Sequence, residues 1–196
     1  MDPTPFPRLT GSAEVSVRPA RPQEAADIAR VQAVTWRTAY RSLLPAAVLD
    51  SWDEDAAAHT WRAAVLAPPS AAHHVLVALE NDAVVGFAAF GPAQPADDEP
   101  ALTDGVVDVA TLLVEPRWGR RGHGSRLLAA VTDLARAGGA GGLRAWLPEG
   151  DRVTAGFLEA SGWAPDGWAR TLDTGDTPLR ELRWHTHLDD DEGDRA

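Results

Sequence analysis

The stretch Val107–Gly139, VDVATLLVEPRWGRRGHGSRLLAAVTDLARAGG, begins as an apolar run of strand length and ends as an amphipathic helix. Between the two lies EPRWGRRGHGS, a turn crowded with glycine and arginine. Gly119, Gly122 and Gly124 there let backbone N–H groups point outward at the positive end of the following helix, the physical basis of an anion site. Arg117, Arg120, Arg121 and Arg126 surround it with positive charge. The plainer reading, a tight strand-to-helix connection with its arginines in solvent, is equally compatible with the turn alone. Two familiar phosphate motifs do not apply. A nucleotide P-loop ends in Gly-Lys-Ser or Gly-Lys-Thr, and this chain has no lysine. A dinucleotide-binding turn orders its glycines as G-x-G-x-x-G within an early βαβ unit.

Outward from the turn, the 196-residue chain is long enough for one well-packed domain, with ordinary apolar and charged content. The absence of cysteine removes disulfides, thiolate metal sites and a cysteine nucleophile. The absence of lysine removes Schiff-base chemistry. A formal net charge of −11 argues against a broad nucleic-acid-binding face and is permissive toward cationic or amine substrates. The start, MDPTPFPRLTGSAE, has neither a basic region nor an apolar core, and no apolar run reaches membrane-span length. The expected location is cytoplasmic, with no membrane partner. Residues 1–13 and the acidic 189–196 read as disordered tails around one domain over 14–188.

The pattern predicts a mixed α/β order. A short strand over Glu14–Arg18 precedes a helix carrying Ala26, Ile28, Val31, Val34 and Trp36, and a second helical region runs from Pro45 to about Leu66. HHVLVALENDAVVGFAAFG reads as two strands joined at Asn81 and Asp82. A Pro-rich loop leads to a strand over Val106–Val114, a helix over Gly122–Ala137, a strand over Leu143–Leu147 and a helix over Asp151–Ala160. Two closing strands follow, near Trp168–Asp173 and Leu179–His187. His73 and His74 fall on opposite faces of a strand; His185 and His187 share one without a third ligand nearby in sequence, so no metal is expected.

In register, Leu112, Val114, Pro116, Trp118, Gly122 and Gly124 followed by SRLLAAV resemble the acetyl-coenzyme A motif of the Gcn5-related N-acetyltransferase (GNAT) superfamily. RPARPQEAADIARVQAVTWRTAYRSLLP is similar to the family's opening strand and helices, and FLEASGWAPDG to its F-Y-E-x-x-G-F segment. The resemblance implies an α/β (α+β) GNAT fold, a mixed, mostly antiparallel central sheet of about seven strands flanked by about four helices. It also implies an enzyme, an acyltransferase moving an acetyl group from acetyl-CoA to a primary amine of a small molecule or peptide by direct attack in a ternary complex. Carried over, Leu112, Leu113 and Val114 offer backbone to pantetheine, and Gly119, Arg120, Arg121, Gly122, His123, Gly124 and Ser125 cradle the diphosphate. A backbone N–H near Leu113 would stabilise the oxyanion.

Asp108 falls where several members carry a glutamate acting through water, and is the first candidate base. Glu115 is the second, its plainer reading being an exposed carboxylate at the strand's end. The family's usual acidic tyrosine falls at Leu158, and its preceding asparagine at Asp151. Tyr40, the only tyrosine, lies where the resemblance places the acceptor loop; it is the candidate acid and, with Trp36 four residues before it, the candidate acceptor contact. An amphipathic packing role serves Tyr40 equally well. Gly119 and Arg120 depart from the family pattern, and the replacements at Asp151 and Leu158 motivate a second reading, a weakly active or inactive acyl-CoA-binding sensor or interaction module. A homodimer is compatible with the sequence.

Overall fold

The computed structural model describes residues 15–94, 105–174 and 178–188. Both expected tails and most of the Pro-rich loop lie outside these residues.

Among the described residues seven strands form one sheet: β1 (Val15–Pro19), β2 (His74–Glu80), β3 (Ala83–Pro92), β4 (Val106–Val114), β5 (Gly142–Pro148), β6 (Ala164–Leu172) and β7 (Leu179–His187). Their spatial order is β1-β2-β3-β4-β5-β7-β6. Every neighbouring pair is antiparallel except β4 with β5. β2 is apolar at nearly every position because both of its faces are covered. Leu76 and Ala78 pack with Leu127, Leu128 and Val131 of helix α4 (His123–Ala137), while Val77 and Leu79 pack with Ile28 and Val31 of helix α1 (Ala25–Ala39). No helix among the described residues is long and apolar enough to cross a membrane.

The single helical region expected from Pro45 to Leu66 is two helices, α2 (Ala46–Asp50) and α3 (Glu54–Leu66). The break has a local cause: the Asp53 side chain accepts the Ala56 N–H at 3.0 Å, an N-cap that starts a new helix. The β2–β3 hairpin turns at Asn81, whose φ of 55° is the left-handed conformation that asparagine tolerates best after glycine. The last helix, α5 (Arg152–Glu159), starts one residue later than its expected first residue, since Asp151 is its N-cap.

What makes a site is the way β4 leaves β5. The two strands pair only at Val106, Val107 and Asp108 against Gly142, Leu143 and Arg144. Beyond Asp108, β4 carries a bulge in its pairing with β3: Thr111 faces Ala89 and Val109 faces Phe90, so Ala110 is the extra residue. β5 meanwhile continues along β7 to Pro148. A V-shaped gap opens in the middle of the sheet, its apex at Asp108 and Arg144.

Candidate active site

The strand-to-helix turn sits at the end of β4. A short 3-10 turn over Pro116–Trp118 comes first, closed by the Gly119 N–H on the Pro116 carbonyl at 3.0 Å. Gly119 therefore has its N–H already engaged, a correction to its expected place in an anion cradle. Arg120 and Gly122 are left-handed, with φ of 62° and 80°. Arg126 closes the loop from above, its backbone N–H on the Gly122 carbonyl and its guanidinium on the Arg121 carbonyl. Among the described residues no backbone acceptor is recorded for the N–H groups of Arg120, Arg121, Gly122, His123, Gly124 and Ser125. They form an arc of donors at the start of a 15-residue helix.

The His123 ring is engaged beneath the turn. The imidazole is 1% exposed, and its Nε2 lies 2.8 Å from Glu80 Oε2. Arg121 donates to the other oxygen of Glu80 at 2.9 Å and lies over the Trp118 ring. Glu80, itself buried at the end of β2, thus ties the turn to the sheet from beneath. Nothing in the local sequence pairs residues 43 positions apart, which is why sequence reasoning missed this anchor.

A cavity of about 320 Å³ fills the V between β4 and β5. Its strand walls are Val109–Leu113 of β4 and Ala145–Pro148 of β5. Phe157 of α5 connects it to the turn, since it lines the cavity and its ring lies 3.6 Å from where a Cβ on Gly124 would be. Trp36 and Tyr40, at the end of α1, line the same cavity, as does Leu158, buried in the core. Trp36 is steadied by an edge contact with Trp52 at 4.5 Å between centroids.

Tyr40 faces the first turn of α5. Its side chain stands close to Asp151 and Thr154. Asp151 is 6% exposed and accepts both the backbone N–H and the hydroxyl of Thr154, at 3.0 and 2.6 Å. Burial, and after it the negative charge of Asp151, pushes the Tyr40 phenol up to about 12. The phenol therefore keeps its proton through the neutral range. In the sequence Asp151 was legible as the first residue of the last helix and as the replacement for an asparagine, and Thr154 carried no such mark. The DRVT spacing at 151–154, an N-cap acid three residues before a threonine, was the available signal.

The two carboxylates expected as bases stand elsewhere. Asp108, at the apex, lies 3.2 Å from the buried Arg144, which also donates to the Gln94 carbonyl. It lines a second cavity, against Trp61 of α3 and Phe90 of β3, that meets the V cavity at Ala110. Glu115 is 4% exposed rather than an open carboxylate at the strand's end. Its oxygens accept from Arg30 at 2.8 Å and pair with Arg117 at 2.5 Å, so it pins α1 to the end of β4. It does not line the V cavity.

A model of the acetyltransferase (GNAT) family matches residues 33–163. The chain is similar to an uncharacterized N-acetyltransferase of Bacillus subtilis (strain 168), YuaI, at 30% identity over 135 residues, 69% of this chain and 72% of that one. Among solved structures it resembles an N-acetyltransferase from Staphylococcus aureus Mu50, with a TM-score of 0.67 and 18% identity over 90% of this chain and all of that one. It also resembles yncA of Salmonella typhimurium, solved with its cofactor acetyl-CoA, with a TM-score of 0.66 and 21% identity over 94% and 99% of the two chains.

Proposed function

The chain belongs to the acetyltransferase (GNAT) family, and from that membership we propose that it transfers an acetyl group from acetyl-CoA to a primary amine by direct attack in a ternary complex. The observation that carries this reading is the continuity of the donor arc at residues 120–125 with the V cavity, across Phe157. A diphosphate on the arc leaves the pantetheine arm lying along β4, whose edge facing β5 has no strand partner among the described residues after Asp108. The residues present suit such a carrier: the anionic end meets N–H groups at a helix start, and the arm meets an open strand edge and apolar side chains.

The chemistry asks little more of the protein. The amine nitrogen bonds to the thioester carbonyl carbon, the carbonyl oxygen gains charge near the backbone N–H groups around Leu113, and the carbon–sulfur bond then breaks. The ammonium must first lose a proton. Asp108 takes it through water from the adjoining cavity. Tyr40 keeps its proton and offers it to the departing sulfur, and the proton shed by the attacking nitrogen restores it. With Leu158 buried among apolar neighbours, Tyr40 supplies a hydroxyl to the cavity from α1 rather than from α5.

Titration calorimetry with CoA and acetyl-CoA, followed by thiol release across an amine panel, tests the reading. Binding of both with amine-dependent release is the expected result. Binding without release from any amine would favour the sensor or interaction module, and absence of binding by folded protein would end the proposal.

A further inference from the structure

The walls of the V cavity differ in origin. One is the backbone and apolar side chains of β4 and β5, where the pantetheine arm is proposed to lie. The facing wall is supplied by Trp36, Leu44 and Val48 on one side and Leu172 and Leu179 on the other, all apolar. Tyr40 and Thr154 place two hydroxyl groups in one corner of this wall, with Asp151 accepting the Thr154 hydroxyl behind them; Thr174 and Glu181 line the cavity as well.

Asp151 is unusual among the buried acids. Glu80 and Glu115 are held by arginine, and Glu181, which also lines the cavity, accepts from Arg170 at 2.7 Å. Among the described residues no arginine or histidine pairs with Asp151. Its bonds to Thr154 and the start of α5 offset part of the cost of burying its charge. They do not neutralise it. The field of that charge reaches the cavity beside two hydroxyl groups, so a cation arriving there meets oxygen acceptors backed by an arginine-free carboxylate in a mostly apolar chamber, where Glu181 is already held by Arg170.

We infer that the acceptor is a small primary amine carried on an apolar body, arylalkyl or branched alkyl, whose ammonium rests against Tyr40 and Thr154 with Asp151 as its counter-charge. This rests on the acetyltransferase reading and names its substrate class. The cavity is shared with the pantetheine arm, which limits the body to a small one. A polyamine or an aminosugar would leave further cations or hydroxyls against Trp36, Leu44 and Val48, while Glu181, the cavity's lining acid, is already engaged by Arg170, a heavy penalty for buried polar groups.

The experiment compares kcat/KM for phenylethylamine and isopentylamine with that for spermidine and an aminoglycoside, after acetyl-CoA binding has been measured by calorimetry. The expected result is a preference for the apolar amines of at least about tenfold. Acetyl-CoA binding with preferred transfer to spermidine or the aminoglycoside would overturn the substrate class and leave the transferase intact. Binding with no transfer to the apolar amines would overturn it as well. Failure to bind acetyl-CoA would remove the transferase reading and the inference together. A second arm uses Asp151→Asn, because asparagine caps a helix as well as aspartate does. KM for the apolar amine should rise about tenfold, the loss of one charge-assisted contact. The CoA dissociation constant, the melting temperature and inhibition by the matching neutral alcohol should hold. An unchanged KM for the amine would overturn the assignment of the counter-charge.

Discussion

Tyr40 is the only tyrosine in the chain, so its ionisation is readable without assignment from the near-ultraviolet band of tyrosinate. An ordinary phenol titrates at 10.0; this one is expected at about 12 in the folded protein. Because the folded value lies above the unfolded one, the associated stability is complete below the unfolded pKa and is lost as pH rises toward the folded one. Over that window the loss amounts to roughly 2–3 kcal/mol. Spectroscopic titration should place the midpoint well above that of a free tyrosine, and Asp151→Asn should lower it by removing the neighbouring charge. A midpoint at the ordinary value would mean that Tyr40 stands in water rather than at the α5 corner. The same residue marks the limit of what local sequence conveys. Its four-residue spacing from Trp36 was legible as a shared helical face, whereas its partners Asp151 and Thr154 lie more than a hundred positions away and meet it only through the fold. Glu80 with His123 is a second case of that kind.

Among the elements, β4 was read at its full extent, since a run of apolar residues bounded by glycine and proline admits few alternatives. The α2–α3 break was not legible in the same way. The alanine-rich run around residues 55–64 continues a helical pattern, and only the capping bond of Asp53 shows where the second helix starts. The turn into α4 depends on a backbone conformation that side chains resist. Gly122 has φ of 80°, and a Cβ there would stand 2.7 Å from Arg126 Nη1. Gly139, after the same helix, has φ of 77° but open space around it. Replacing either by alanine should cost about 1–2 kcal/mol of stability through the left-handed backbone alone. Only Gly122→Ala should also weaken CoA binding, because Arg126 must shift and the donor arc moves with it. Denaturation and calorimetry on the two variants make the comparison. Equal CoA affinity in both would detach the turn from the ligand.

At the scale of the molecule, the sheet is two parts joined at a short seam. β1 to β4 form one part and β5, β7 and β6 the other, with strand pairing between them limited to residues 106–108 and 142–144. The mostly antiparallel character of the sheet was legible from the family resemblance. The seam itself was not, because nothing in VDVATLLV states which neighbour stops pairing, or where. Asp108 and Arg144 bond across the last paired position, so Asp108 has a structural task whether or not it also takes a proton. Two readouts on Asp108→Asn separate these roles. Loss of one partner of a largely buried ion pair is expected to cost about 3 kcal/mol in denaturant unfolding. If Asp108 also accepts the ammonium proton, the acidic limb of the kcat profile should disappear in the variant while CoA affinity persists. A stability loss with an unchanged pH profile would confine Asp108 to the seam and move the search for the base to the carboxylates around Tyr40.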